Sequence, residues 1–121
     1  MNKNLACAIL AGILTVGILN DAYAGEFKPT QQMIVTALIA ADWAQTRNIA
    51  RRDDLHETNP IMGRNPSISE VNRYFLTYAL AYNLSAYLLP EKWATRLSIT
   101  IGAAQAVTVH KNIKIGVKFD F

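Results

Sequence analysis

Apolar positions gather in four runs along the chain: Leu5 to Leu19, Met33 to Ala44, Val71 to Leu89 and Leu97 to Val109. Helix punctuation surrounds the last three. Pro29 suits a first helical turn, because the N–H it lacks would be unpaired there anyway. From Thr30 to about Ala50 nothing breaks a helix, and Met33 to Ala44 is apolar apart from Thr36 and Asp42. A polar connector follows, Arg51 to Pro66, carrying the turn signals Asn59-Pro60, Gly63 and Asn65-Pro66. Ser67-x-x-Glu70 then has the spacing of a capping box, and the second helix runs through Tyr74 to Leu89 and stops at Pro90. Pro90 and Glu91 open a third, Lys92 to about His110.

The tail changes period. Ile113, Ile115, Val117, Phe119 and Phe121 alternate with Lys114, Lys118 and Asp120, the spacing of a strand. Three preceding helices leave no room for the eight or so strands of an outer-membrane barrel. An isolated strand is not stable alone, so this tail is expected to need a partner chain or the membrane surface, or to lack fixed structure.

The first run reads as an address. Lys3 precedes it, and Ala22-Tyr23-Ala24 ends it with the small-x-small site of a secretory signal peptide. Cleavage there makes residues 1–24 the signal and 25–121 the mature domain, 97 residues beginning at Gly25. Cys7, the chain's single cysteine, would leave with it. An uncleaved signal anchor is the competing reading.

Composition sharpens the picture of the remaining runs. Only 17% of residues are charged, against roughly 25% in an ordinary soluble domain, which excludes disorder. Val71 to Leu89 holds one charge, Arg73, and Leu97 to Val109 holds none. A helix apolar on all sides is buried in a large protein or in a bilayer, and 97 residues offer no such interior. The expected fold is therefore all-α: a small membrane bundle of three spans, about 30–50, 71–89 and 92–110, with the strand-like tail. Charge placement agrees with that threading. Arg47, Arg51, Arg52, Arg64, Arg73, Lys111, Lys114 and Lys118 fall on the cytoplasmic side, with Lys28, Lys92 and Arg96 outside. Trp43, Tyr74, Tyr87 and Trp93 fall near span ends, where aromatic belts form.

Few polar residues in these runs need explaining. Asp42 stands foremost, because a carboxylate inside a span needs a partner. Gln45 and Thr46 lie three and four residues on, along its helical face. An interhelical hydrogen-bond anchor is the preferred role, and a proton-coupling carboxylate the alternative. In the connector, Glu57 can bond loop N–H groups or pair with Arg51 or Arg52, while Asn59 before Pro60 favours an extended turn. Together, Asp42-x-x-x-Thr46 and Glu57-x-Asn59-Pro60 resemble a motif of small uncharacterised bacterial and phage membrane proteins. The resemblance covers Ala41 to Tyr74 and implies a helical membrane fold, with no activity to carry over.

No metal is expected: Asp42, His56, Glu57 and His110 have no ligand spacing, and His110 suits a helix C-terminus. No serine sits in a nucleophile elbow, and no cofactor motif is present. Tyr74, Tyr78 and Tyr82 form an i, i+4 stripe, and Ser98, Gly102 and Ala106 a small-residue face on the next helix. Those two faces are expected to pack on each other. A net charge of +3, unclustered, excludes a nucleic-acid footprint.

These features predict a small non-enzymatic accessory protein of a bacterial inner membrane, phage- or envelope-related. Its partners would be the lipid bilayer and another membrane protein or a second copy. Two alternatives stand beside it. One is a membrane hydrolase or transporter-like unit using Asp42 with Glu57 or His110; the other is a soluble periplasmic helical protein.

Overall fold

The computed structural model describes residues 29–121. The expected signal peptide and its cleavage site lie outside the described residues. Three helices follow in order: α1, Pro29–Ala50; α2, Ile68–Leu88; and α3, Glu91–Lys114. The all-helical class is as the periodicity predicts, but the membrane threading is corrected. No described helix is long and apolar enough to cross a membrane. Polar side chains interrupt each one: Gln32, Thr36, Asp42, Gln45 and Thr46 in α1, Asn72, Asn83 and Ser85 in α2, and Thr95, Arg96, Ser98 and Gln105 in α3. The all-round apolar reading arose because α2 leaves Leu76, Leu80, Leu84 and Leu88 exposed while burying Val71, Phe75, Tyr82 and Ala86.

Local chemistry sets the ends. Ser67 Oγ accepts from Glu70 N at 3.1 Å and Glu70 Oε2 accepts from Ser67 N at 2.7 Å, a complete capping box. Those bonds hold the Glu70 carboxyl below the usual carboxylate range. Pro90 has no N–H with which to extend α2, yet its carbonyl accepts from Trp93 N and Ala94 N and so begins α3. α3 runs beyond His110 and closes at Gly116, where φ is +84°. Gly116 N donates to Ile113 O and Val117 N to Asn112 O, the paired bonds of a Schellman ending.

That ending overturns the strand-like tail. No strand occurs among the described residues; Ile113 and Lys114 are helical, and the last residues fold back along α1. Asp120 N donates to Ala44 O at 3.0 Å, Lys118 N to Asn48 Oδ1 at 3.1 Å, and Arg51 pairs with the Asp120 carboxylate. Val117 is buried, whereas Ile115 and Phe121 are exposed, so the alternation does not mark a buried face.

α1 is the central element and packs on both other helices more extensively than they pack on each other. Its Val35 and Ile39 join Val71, Phe75, Tyr82, Ala86 and Leu97 in the core. Polar latches reinforce the α1–α2 seam: Gln32 Nε2 donates to Asn83 Oδ1 at 2.8 Å, and Trp43 Nε1 to Asn72 Oδ1 at 2.9 Å. Trp43 therefore serves a helix seam and not a membrane belt. α2 and α3 pack on each other less than either packs on α1, and a space lies between them beside the connector.

Candidate functional site

That space is a cavity of about 460 Å³ bounded by all three helices, the connector and Ile115. Its surface is predominantly apolar, with Leu97 and Ile101 toward the α2–α3 turn and Ile49, Leu55, Met62 and Phe75 toward the connector. Near the connector it also carries Asp42, Thr46, Glu57, Asn59, Tyr74 and Tyr78.

The connector is shaped by its own side chains. Glu57 Oε1 accepts from Thr58 N at 3.0 Å and Asn59 N at 2.9 Å, and Asn59 Oδ1 accepts from Ile61 N at 2.9 Å. Gly63, at φ +79°, lets the loop close, with Gly63 N donating to Asn59 O and Glu57 N to Arg64 O. Asn59 Nδ2 then reaches the Tyr74 phenol oxygen, which fastens the loop to α2.

Asp42 is the most deeply buried charged group of the cavity lining, 8% exposed. Its nearest donor is Thr46 Oγ1, at 3.4 Å from Oδ1. Burial, reinforced by the Glu57 charge, pushes its carboxyl up to about 7, although bonds from Thr46 and Gln105 pull the other way. The arginines at the end of α1 and just beyond it are engaged elsewhere: Arg47 with Asn72 and the Asp120 carbonyl, Arg51 with Asp120, Arg52 with Asp54. No Lys or Arg lines the cavity among the described residues. Burial also raises the Tyr74 and Tyr78 phenols, whose rings stack at 6.1 Å.

The structure thus brings Asp42, Thr46, Glu57 and Asn59 to one cavity. Gln45 belongs to a different contact: fully buried against α3, it donates to Val109 O at 3.2 Å and accepts from Asn112 Nδ2 at 3.1 Å. His110 is exposed and does not line the cavity; His56 does, with Nδ1 hydrogen-bonded to Asn65 Oδ1. The tyrosine stripe and the small-residue face meet at one point, Tyr82 Oη to Ser98 Oγ at 2.8 Å. Tyr74 and Tyr78 face the cavity, Gly102 packs against Val35 of α1, and Ala106 is exposed. No group of three or more His, Cys, Asp and Glu that could hold a metal occurs among the described residues.

Gln105 was missed by the sequence reading. It is 8% exposed, lines the cavity and donates from Nε2 to Tyr78 Oη at 3.3 Å, while its Oε1 is buried without a hydrogen-bond partner. A signal existed: it is the only amide between Leu97 and Val109, the same isolation that singled out Asp42. Comparison of the chain with protein-family models, curated proteins and solved structures gave no match.

Proposed function

We propose that this chain is a non-enzymatic binding protein that holds a small, mainly apolar molecule in the cavity between α2 and α3. One observation carries the reading: a predominantly apolar space of about 460 Å³ contains buried polar groups of Asp42 and Gln105. Ligand pockets span roughly 300–1,000 Å³ and combine apolar walls with a few orienting polar groups. Leaving Gln105 Oε1 unbonded costs stability unless a bound molecule supplies the donor. The accessory role in a membrane loses its support, because it rested on spans that no described helix provides.

Acid–base hydrolysis is the second reading, favoured by Asp42 and Glu57 lining one cavity. It ranks below binding on two grounds. Glu57 Oε1 is occupied by two loop N–H groups, and among the described residues the lining holds no Lys or Arg to stabilise a developing anion.

An uncharged apolar dye such as diphenylhexatriene tests the cavity. It should bind saturably with one site per chain. Ala104 is exposed yet lines the cavity, so Ala104→Trp should block the dye while leaving the fold's melting curve unchanged. Equal binding by both proteins, or none by the wild type, would refute the reading.

A further inference from the structure

We propose that the ligand is an organic cation, a protonated amine on an apolar body, with its ammonium group held between Asp42, Glu57 and Gln105. This inference rests on the binding role above and adds the ligand's charge. Acceptors dominate the connector end. Among the described residues the Asp42 carboxyl is bonded to Thr46 and Gln105 alone, and Gln105 Oε1 is buried with no partner. Glu57 adds a second carboxylate whose charge acts on Asp42.

Among the described residues no basic lining residue competes for these groups except His56, and His56 is bonded to Asn65. An anionic ligand would meet two carboxylates and gain no Lys or Arg partner. A bare metal ion lacks a ligand set among the described residues. An ammonium group satisfies three acceptors at once, and the Tyr74 and Tyr78 rings beside it suit a cation. Leu97 and Ile101, farther toward the α2–α3 turn, then receive the apolar body.

Cation binding should favour ionised Asp42, so uptake of the amine should release a proton to solvent. Among the described residues, the groups acting on Asp42 are Glu57 from the connector, Thr46 of α1, Tyr74 and Tyr78 from α2, and Gln105 from α3, and His56 shares the cavity lining. None supplies a fixed positive charge that would make this release unnecessary.

The test uses the full chain with diphenylhexatriene bound, displaced by hexylamine, hexanol or hexanoate at neutral pH. Hexylamine should displace the dye at about tenfold lower concentration than hexanol, with hexanoate weakest. Asp42→Asn should reduce that preference, read as the ratio of hexylamine to hexanol within the variant, to about twofold. Gln105→Leu should weaken hexylamine more than hexanol. Calorimetry in buffers of different ionisation enthalpy should show proton release with hexylamine only. Dye binding with hexylamine no better than hexanol, or with hexanoate strongest, would overturn the amine and leave the cavity reading standing. An undiminished amine preference in both variants would overturn the assigned acceptors. Failure of the wild type to bind dye or hexylamine would overturn both proposals.

Discussion

Asn59 Nδ2 donates to the Tyr74 phenol oxygen at 2.9 Å, joining the connector to α2 beside the cavity. The same Asn59 accepts from Ile61 N, so one side chain both shapes the loop and anchors it. Loop geometry and cavity geometry are therefore coupled through a single residue.

Removing that residue should cost more than removing its partner. Tyr74→Phe loses one bond and should destabilise by about 1 kcal/mol. Asn59→Ala loses that bond and the one to Ile61 N, so its cost should be about twice as large. The double variant should fall short of the sum, because both single changes break the same contact. Urea denaturation of the four proteins measures the cycle.

Packing, not the ion pair, should hold the tail on α1. The Arg51–Asp120 pair is solvent-facing, with side chains 51% and 23% exposed, so Asp120→Ala should cost no more than about 1 kcal/mol. Val117 is 5% exposed, and Val117→Ala should cost about 1.5 kcal/mol from lost burial alone. Val117→Asp should release the tail, because it forces a carboxylate into a position only 5% exposed. Amide exchange at Asp120, whose N–H bonds Ala44 O, reports that release directly.

Gly102 sets the approach of α3 to α1. A Cβ there would lie 3.2 Å from Val35 Cγ2, and Val35 is itself packed in the core. Alanine gains roughly 1 kcal/mol of helix propensity, which offsets most of the strain. Gly102→Ala should therefore leave stability within about 1 kcal/mol of wild type, while Gly102→Val should destabilise by about 1–3 kcal/mol. Thermal melting of the two variants separates propensity from overpacking.

The helices were legible because their ends carry strong local chemistry: Pro29, the Ser67–Glu70 box and Pro90 act within a few residues of themselves. Other features depended on distant contacts. Gly116 stops α3 in a left-handed conformation, but read by alternation alone the flanking residues resemble a strand. Apolar runs looked membrane-spanning because periodicity cannot tell leucines exposed on α2 from leucines in lipid. Asp42, Thr46, Glu57 and Asn59 stood out as isolated or turn-forming polar residues. Their convergence with Gln105 depends on how the three helices and the connector pack, which no local signal encodes. Gln45 shows the opposite failure: adjacent to Thr46 in sequence, it faces a different helix.

Asp42 should impose a pH dependence whose sign is unusual for an aspartate. Its folded-state value, about 7, lies above the ordinary 3.8, so between those pH values the folded chain binds a proton that the unfolded chain does not. Below pH 3.8 both states are protonated and the residue contributes nothing to the difference. Across the window, stability should fall as pH rises, by about 1.4 kcal/mol for each pH unit at most. Above pH 7 both states are ionised, and the penalty stays constant. Asp42→Asn keeps the shape and cannot ionise, so it should match the wild type near pH 4 and exceed it at pH 8. Asp42→Leu should be worse than Asp42→Asn, because it gives Thr46 and Gln105 no polar partner. Urea denaturation of wild type and Asp42→Asn from pH 4 to 8 checks this, and their difference removes the contributions of groups common to both. A difference that is flat across that range would mean Asp42 ionises normally in the folded chain. A saturating amine should remove the penalty above pH 7, since it binds the ionised form.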